Sequence, residues 1–114
     1  MSEADCIFCR IARGEVEAEV LHDEDDVLAF EDINSKAPVH VLVIPRQHVA
    51  NLEEIGVLPD PVVKRLFEVA SDVAERLGVA EGGYAVMINN GRDAGQEVFH
   101  LHLHVMGGRR LGMP

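Results

Sequence analysis

Hydrophobic and polar positions along this chain change period several times, and each change marks an element. Val62, Val63, Leu66, Phe67, Ala70, Val73, Ala74 and Leu77 recur at helical spacing. Asp60 as N-cap, Pro61 at the first helical position and Gly78 beyond the end bracket a long helix there. Val39 to Ile44 is apolar and β-branched apart from His40 and stops at Pro45, which predicts a central strand covered on both faces. Residues Cys6 to Arg13, with Ile7, Phe8 and Ile11 apolar and Gly14 just after, predict a short N-terminal helix. Glu19 to His22 and Val27 to Asp32 flank the acidic Asp23 to Asp26 as a hairpin, and Asn34 to Pro38 follows as a turn. Tyr84 to Asn89 and Val98 to Val105 predict two further strands, joined by a loop containing Gly91 and Gly95. The result is a single α+β domain over residues 1–114 with a mostly antiparallel sheet.

Composition narrows the functional classes. The length fits one domain, and 47% hydrophobic content supplies a core without disulfide staples. Ten Lys and Arg against 20 Asp and Glu leave a formal charge of -10, which disfavours binding to long nucleic acid or to anionic membranes. A small anionic ligand in a locally positive pocket stays compatible with it. Met1 to Asp5 lacks the pattern of a signal peptide, and the longest strongly apolar run, Val41 to Ile44, is far too short to span a bilayer. Two cysteines, Cys6 and Cys9, are spaced for a metal clip or a redox pair, and a cytoplasmic location is the default expectation.

The segment from His100 to Val105 alternates imidazole and aliphatic side chains with the period of a strand. His100, His102 and His104 therefore share one face, and Leu101, Leu103 and Val105 share the other. Three chemistries suit such a face. It can be a polar solvent face, a zinc site with the histidines as ligands, or a nucleophilic site. In the last case a neutral imidazole attacks phosphorus, and its other ring nitrogen must donate a hydrogen bond that fixes the tautomer.

His100-Leu-His102-Leu-His104-Val-Met106 resembles the motif of the histidine-triad family, and the resemblance extends over nearly the whole chain. Cys6-Ile-Phe-Cys9, Phe30-Glu-Asp32-Ile33, Ala37-Pro-Val-His40-Val-Leu-Val-Ile-Pro45, Gly95-Gln96 and Gly107-Gly-Arg109 stand in the order typical of its nucleotide-binding branch. The resemblance implies a five-stranded histidine-triad fold with one long and one short N-terminal helix. It implies a hydrolase or transferase for purine nucleotides or nucleoside phosphoramidates, acting on the α-phosphate through a covalent nucleotidyl-histidine. His102 would be the nucleophile, His104 would contact the phosphate, and His40 would support the triad from behind. Asp32 would hold the ribose hydroxyls, Asn89 would face the phosphate, and Gln96 and Val98 would complete the nucleotide set. Ile7, Phe8, Ile11, Phe30 and Ile33 match positions that sandwich the purine, although they are equally good core residues. The resemblance also makes Cys6, Cys9, His48 and His100 a structural zinc site, with no catalytic divalent ion required.

Two departures stand out. Glu97 occupies a position where several relatives place a hydroxyl that donates to the leaving group, and an ordinary carboxylate cannot donate. Either Glu97 points away, or burial alters it, or another group protonates the leaving amine. The tail, Arg109-Arg110-Leu-Gly-Met113-Pro114, has no tryptophan where many relatives carry one. A homodimer is implied, with Pro61 to Leu77 and Tyr84 to Asn89 as its contact. Competing readings are a nucleotide-binding regulatory or scaffold module, and a zinc-dependent hydrolase with the triad as ligands.

Overall fold

Every strand of the sheet runs antiparallel to its neighbours, because short turns and one helical excursion return the chain each time. A computed structural model describes residues 3–112 and places β1 (Val20–Asp23), β2 (Val27–Glu31), β3 (Val39–Pro45), β4 (Tyr84–Met87) and β5 (Leu103–Gly107) in the order β1-β2-β3-β5-β4. Met1, Ser2, Met113 and Pro114 lie outside the described residues. Helix α1 (Ile7–Ala12) and helix α2 (Asp60–Arg76) cover opposite faces.

Alternation along β2 and β3 divides the core into two layers. Val27, Ala29, Val41 and Val43 pack with Leu66, Val69, Ala70 and Val73 of α2. Leu28, Phe30, Leu42 and Ile44 turn the other way and pack with Phe8 and the two cysteines at α1. Strand β3 is buried on both faces from His40 to Pro45, as its near-continuous apolar run predicts. The six residues of α1 cover only part of their face. The uncovered remainder, above β3 and β5, carries His40 and His104.

Local chemistry moved several boundaries. Asp60 opens α2 as its first helical residue; Pro59 is the N-cap, and no side chain caps the end. Phe67 and Leu77, which share the helical spacing of the core positions, are 49% and 37% exposed. The last strand begins at Leu103 rather than Val98. Residues before it have other partners: the Leu101 N–H donates to the Val49 carbonyl at 2.8 Å, and the His100 carbonyl lies 2.7 Å from His102 Nδ1. The alternation nonetheless continues outside the ladder, since Leu101 joins the α2 layer while His100 and His102 do not. At the other end, a side chain on Gly107 would sit 2.9 Å from Val79 Cβ, so only glycine lets β5 finish against the segment after α2.

Candidate active site

A cleft of about 1200 Å³ opens on the face that α1 leaves uncovered. Its lining includes Ile7, Phe8, Ile11, Phe30, Asp32, Ile33, His40, Asn89, Val98, His102 and His104, together with Lys36 and Glu97. His104 has Leu42 of β3 on one side and Met87 of β4 on the other, so the histidines lie mid-sheet.

Hydrogen bonds assign a tautomer to each buried imidazole. His102 Nδ1 is 2.7 Å from the His100 carbonyl, which can only accept, so Nδ1 carries the proton and Nε2 keeps a free lone pair. His40 Nδ1 accepts from the Lys36 N–H at 3.0 Å, which places the His40 proton on Nε2. That Nε2–H donates to His104 Nδ1 at 2.9 Å, with Asp32 Oδ2 farther off at 3.4 Å. His104 in turn keeps its proton on Nε2. The ring of Phe8 stands edge-on to His102 at 5.1 Å between centroids, and His104 lies 4.9 Å away on its other flank.

Burial keeps these rings neutral. It lowers His102 below the ordinary imidazole range, against the opposing pull of the His100 carbonyl. It pushes His104 down to about 4, helped by the neighbouring His102 and His40. His40 is also lowered by burial, with Asp32 opposing. A neutral imidazole with one bare nitrogen is the nucleophilic form.

Four expected binding residues take distinct places. Asp32 Oδ1 accepts from the Asn34 N–H at 2.9 Å, leaving Oδ2 toward His40 and the cleft. Asn89 Nδ2 donates to the Ala94 carbonyl at 2.7 Å. Ile33 is 95% exposed, so it is a rim residue and not part of the core. Gln96 departs from expectation: it is buried, and it does not line the cleft. Its Oε1 accepts from Gly91 N–H and Asn51 Nδ2, while its Nε2 donates to the carbonyls of Ala50 and Val98. It braces the loop from behind. Lys36, whose N–H fixes the His40 tautomer, is not among the residues expected from the sequence, and nothing in its sequence context marks it.

Cys6, Cys9, His48 and His100 form a separate cluster whose donor atoms all lie within 4.8 Å of one another. His100 donates through Nε2–H to the Pro45 carbonyl at 2.8 Å, so its bare Nδ1 faces Cys6 Sγ at 3.4 Å and Cys9 Sγ at 3.5 Å. His48 Nδ1 lies 3.2 Å from Cys9 Sγ. Sulfur–nitrogen edges in a tetrahedral zinc site are about 3.5 Å, from bond lengths of ~2.3 and ~2.05 Å. The donor set and spacing therefore fit a metal ion. Burial, with Cys6 alongside, pushes the Cys9 thiol up to about 12, and burial lowers His100 to about 4. Among the described residues, His100 belongs to this cluster and His104 to another with Asp32 and His40, so the three triad histidines do not converge as one ligand set.

A family model for the HIT domain matches residues 13–111. The chain is 39% identical over 106 residues to the purine nucleoside phosphoramidase of Escherichia coli K12, covering 93% of this chain and 89% of that one. Among solved structures, a HIT family hydrolase from Clostridium thermocellum superposes with a TM-score of 0.92 at 43% identity, covering 96% of each chain. A histidine triad protein from Clostridium difficile gives 0.90 at 40% identity, covering 100% of this chain and 99% of that one.

Proposed function

The chain belongs to the HIT domain family, and on that premise we propose that it is a purine-nucleoside phosphoramidase working through a nucleotidyl-His102 intermediate. The observation that carries this reading is the tautomer of His102, with Nδ1–H held by a carbonyl and Nε2 bare at the cleft. Nε2 attacks the α-phosphorus, the P–Nε2 bond forms, and the P–N bond to the amine breaks. The amine leaves with a proton drawn from water in the open cleft. His102 is then an imidazolium whose charge the His100 carbonyl offsets without further reorganisation. Water attacks phosphorus next, the P–Nε2 bond breaks, and a 5′-monophosphate departs while the water's proton goes to solvent.

The supporting residues follow from placement. His104 Nε2–H is a donor for a phosphoryl oxygen, and the His40-to-His104 hydrogen bond keeps it there. Asp32 Oδ2 is available to ribose hydroxyls, and Ile7, Phe8, Ile11 and Phe30 supply the apolar wall for a purine. Cys6, Cys9, His48 and His100 would hold a structural zinc ion, which supplies folding stability and takes no part in the transfer. The proposal includes a single domain over residues 1–114 and a homodimer through α2 and β4.

Phosphorus NMR of adenosine 5′-phosphoramidate tests the reading. Wild type should release AMP, whereas His102→Ala, verified as folded by its thermal melt, should fall by a factor of about a thousand or more. A base-quenched sample of wild type should show a nucleotidyl adduct by intact mass. Full turnover by the variant removes the nucleophile, and no AMP from either protein favours a binding module.

A further inference from the structure

We propose that Glu97 determines which leaving groups the cleft accepts, favouring amines that bear a second, cationic group and disfavouring anionic ones such as a further phosphate. This rests on the nucleotidyl-transfer reading above. Strand order divides the cleft. Asp32 and Phe30 lie at the β2–β3 end, His104 lies on β5 between Leu42 of β3 and Met87 of β4, and beyond Met87 come Asn89 and the loop tied to it through the Ala94 carbonyl, which carries Gly95 and ends at Glu97. A nucleoside held by Asp32 and Phe30, with its phosphorus at His102, leaves the β4 end for the departing group.

Among the described residues, Glu97 is the one ionisable side chain lining that end. It is exposed, and among the described residues it has no hydrogen bond or ion pair. Its backbone is nevertheless held in place, because Gln96 immediately before it makes four hydrogen bonds, one of them to the Val98 carbonyl immediately after. A free carboxylate on an anchored backbone is thus presented to whatever leaves.

The nearby cations are committed elsewhere. Arg92 pairs with its neighbour Asp93 and does not line the cleft. Arg109 donates to the carbonyls of Lys36 and Arg110, and lines a different hollow with Gly78 and Gly82. Among the described residues, Lys36 is the only Lys or Arg in the lining, and it belongs to the turn after Asp32, at the nucleoside end. An ammonium above β4 therefore meets an unpaired carboxylate, and a second phosphate meets the same charge as repulsion, added to the overall -10.

The test compares two adenosine 5′-phosphoramidates with alkyl chains of equal length, one ending in methyl and one in ammonium. Wild type should show a kcat/KM ratio of roughly fivefold to twentyfold in favour of the ammonium at low ionic strength, shrinking as sodium chloride is added. Glu97→Gln should bring the ratio near one, Glu97→Lys should invert it, and Glu97→Asp should keep its sign. A ratio near one in wild type, or one that Glu97→Gln leaves unchanged, overturns the assignment while the transfer reading stands. Release of AMP from neither compound by wild type removes both.

Discussion

Single imidazoles in this site differ in role because of what each ring's second nitrogen touches. A carbonyl leaves the Nε2 of His102 bare, a backbone N–H makes His40 a donor to His104, and two sulfurs lie against His100. The neutrality of His104 has a thermodynamic consequence. Burial holds it near 4 in the folded chain, against an ordinary value of 6.5. Below pH 6.5 the unfolded chain takes up a proton that the folded chain refuses, so stability is complete above about 6.5 and is lost as pH falls toward 4. Urea midpoints at pH 7.0 and 4.5 should therefore drop less in His104→Gln than in wild type; equal drops in both would contradict the assignment. The alternating histidines and their shared face could be read from the pattern itself, whereas their division between two clusters came only through the family resemblance, which set His100 with Cys6, Cys9 and His48. That division depends on which atoms of Pro45, Lys36 and the cysteines meet each ring, and spacing along one strand carries no such information.

Elements show the same split between what pattern dictates and what partners decide. Strand β3 and helix α2 follow directly from an unbroken β-branched run and from helical spacing. The first residues of the expected last strand fail as ladder because their carbonyl and N–H are bonded to His102 and Val49, a tertiary matter. Gln96, which the resemblance puts in the nucleotide set, has its amide joined to four backbone or side-chain groups behind the loop, a tertiary arrangement that the pattern does not carry. Helix α1 is only six residues, too short to persist alone, and Cys6 and Cys9 at its start connect it to His48 and His100. Purified protein should carry one zinc per chain, and a chelator should lower the melting temperature by roughly ten degrees. Amide exchange should accelerate first at 7–12 while β3 stays protected. Unchanged exchange at 7–12 in zinc-free protein would separate the clip from the helix.

At the scale of the whole molecule, four of the eight large apolar side chains exposed among the described residues lie on or beside α2 and on β4. Phe67 and Leu77 on and beside the helix, with Val86 and Met87 on the strand, are between 36% and 49% exposed. Strand β4 is also an edge of the sheet, with unpaired backbone on its outer side. Sedimentation at micromolar concentration should give a dimer, and Phe67→Glu should give a folded monomer with little change in the urea midpoint of the single chain. A monomeric wild type removes the proposed assembly. No helix among the described residues is long and apolar enough to cross a membrane.

Met87 belongs both to the free edge strand and to the wall of the cleft. A second chain laid along β4 would thus narrow the end of the cleft proposed for the leaving group. Turnover per chain then becomes a function of how much enzyme is in the tube: on dilution, as partners separate, specific activity should change even though no residue has been altered, and a progress curve begun from a concentrated stock should bend over the time the pairs take to come apart.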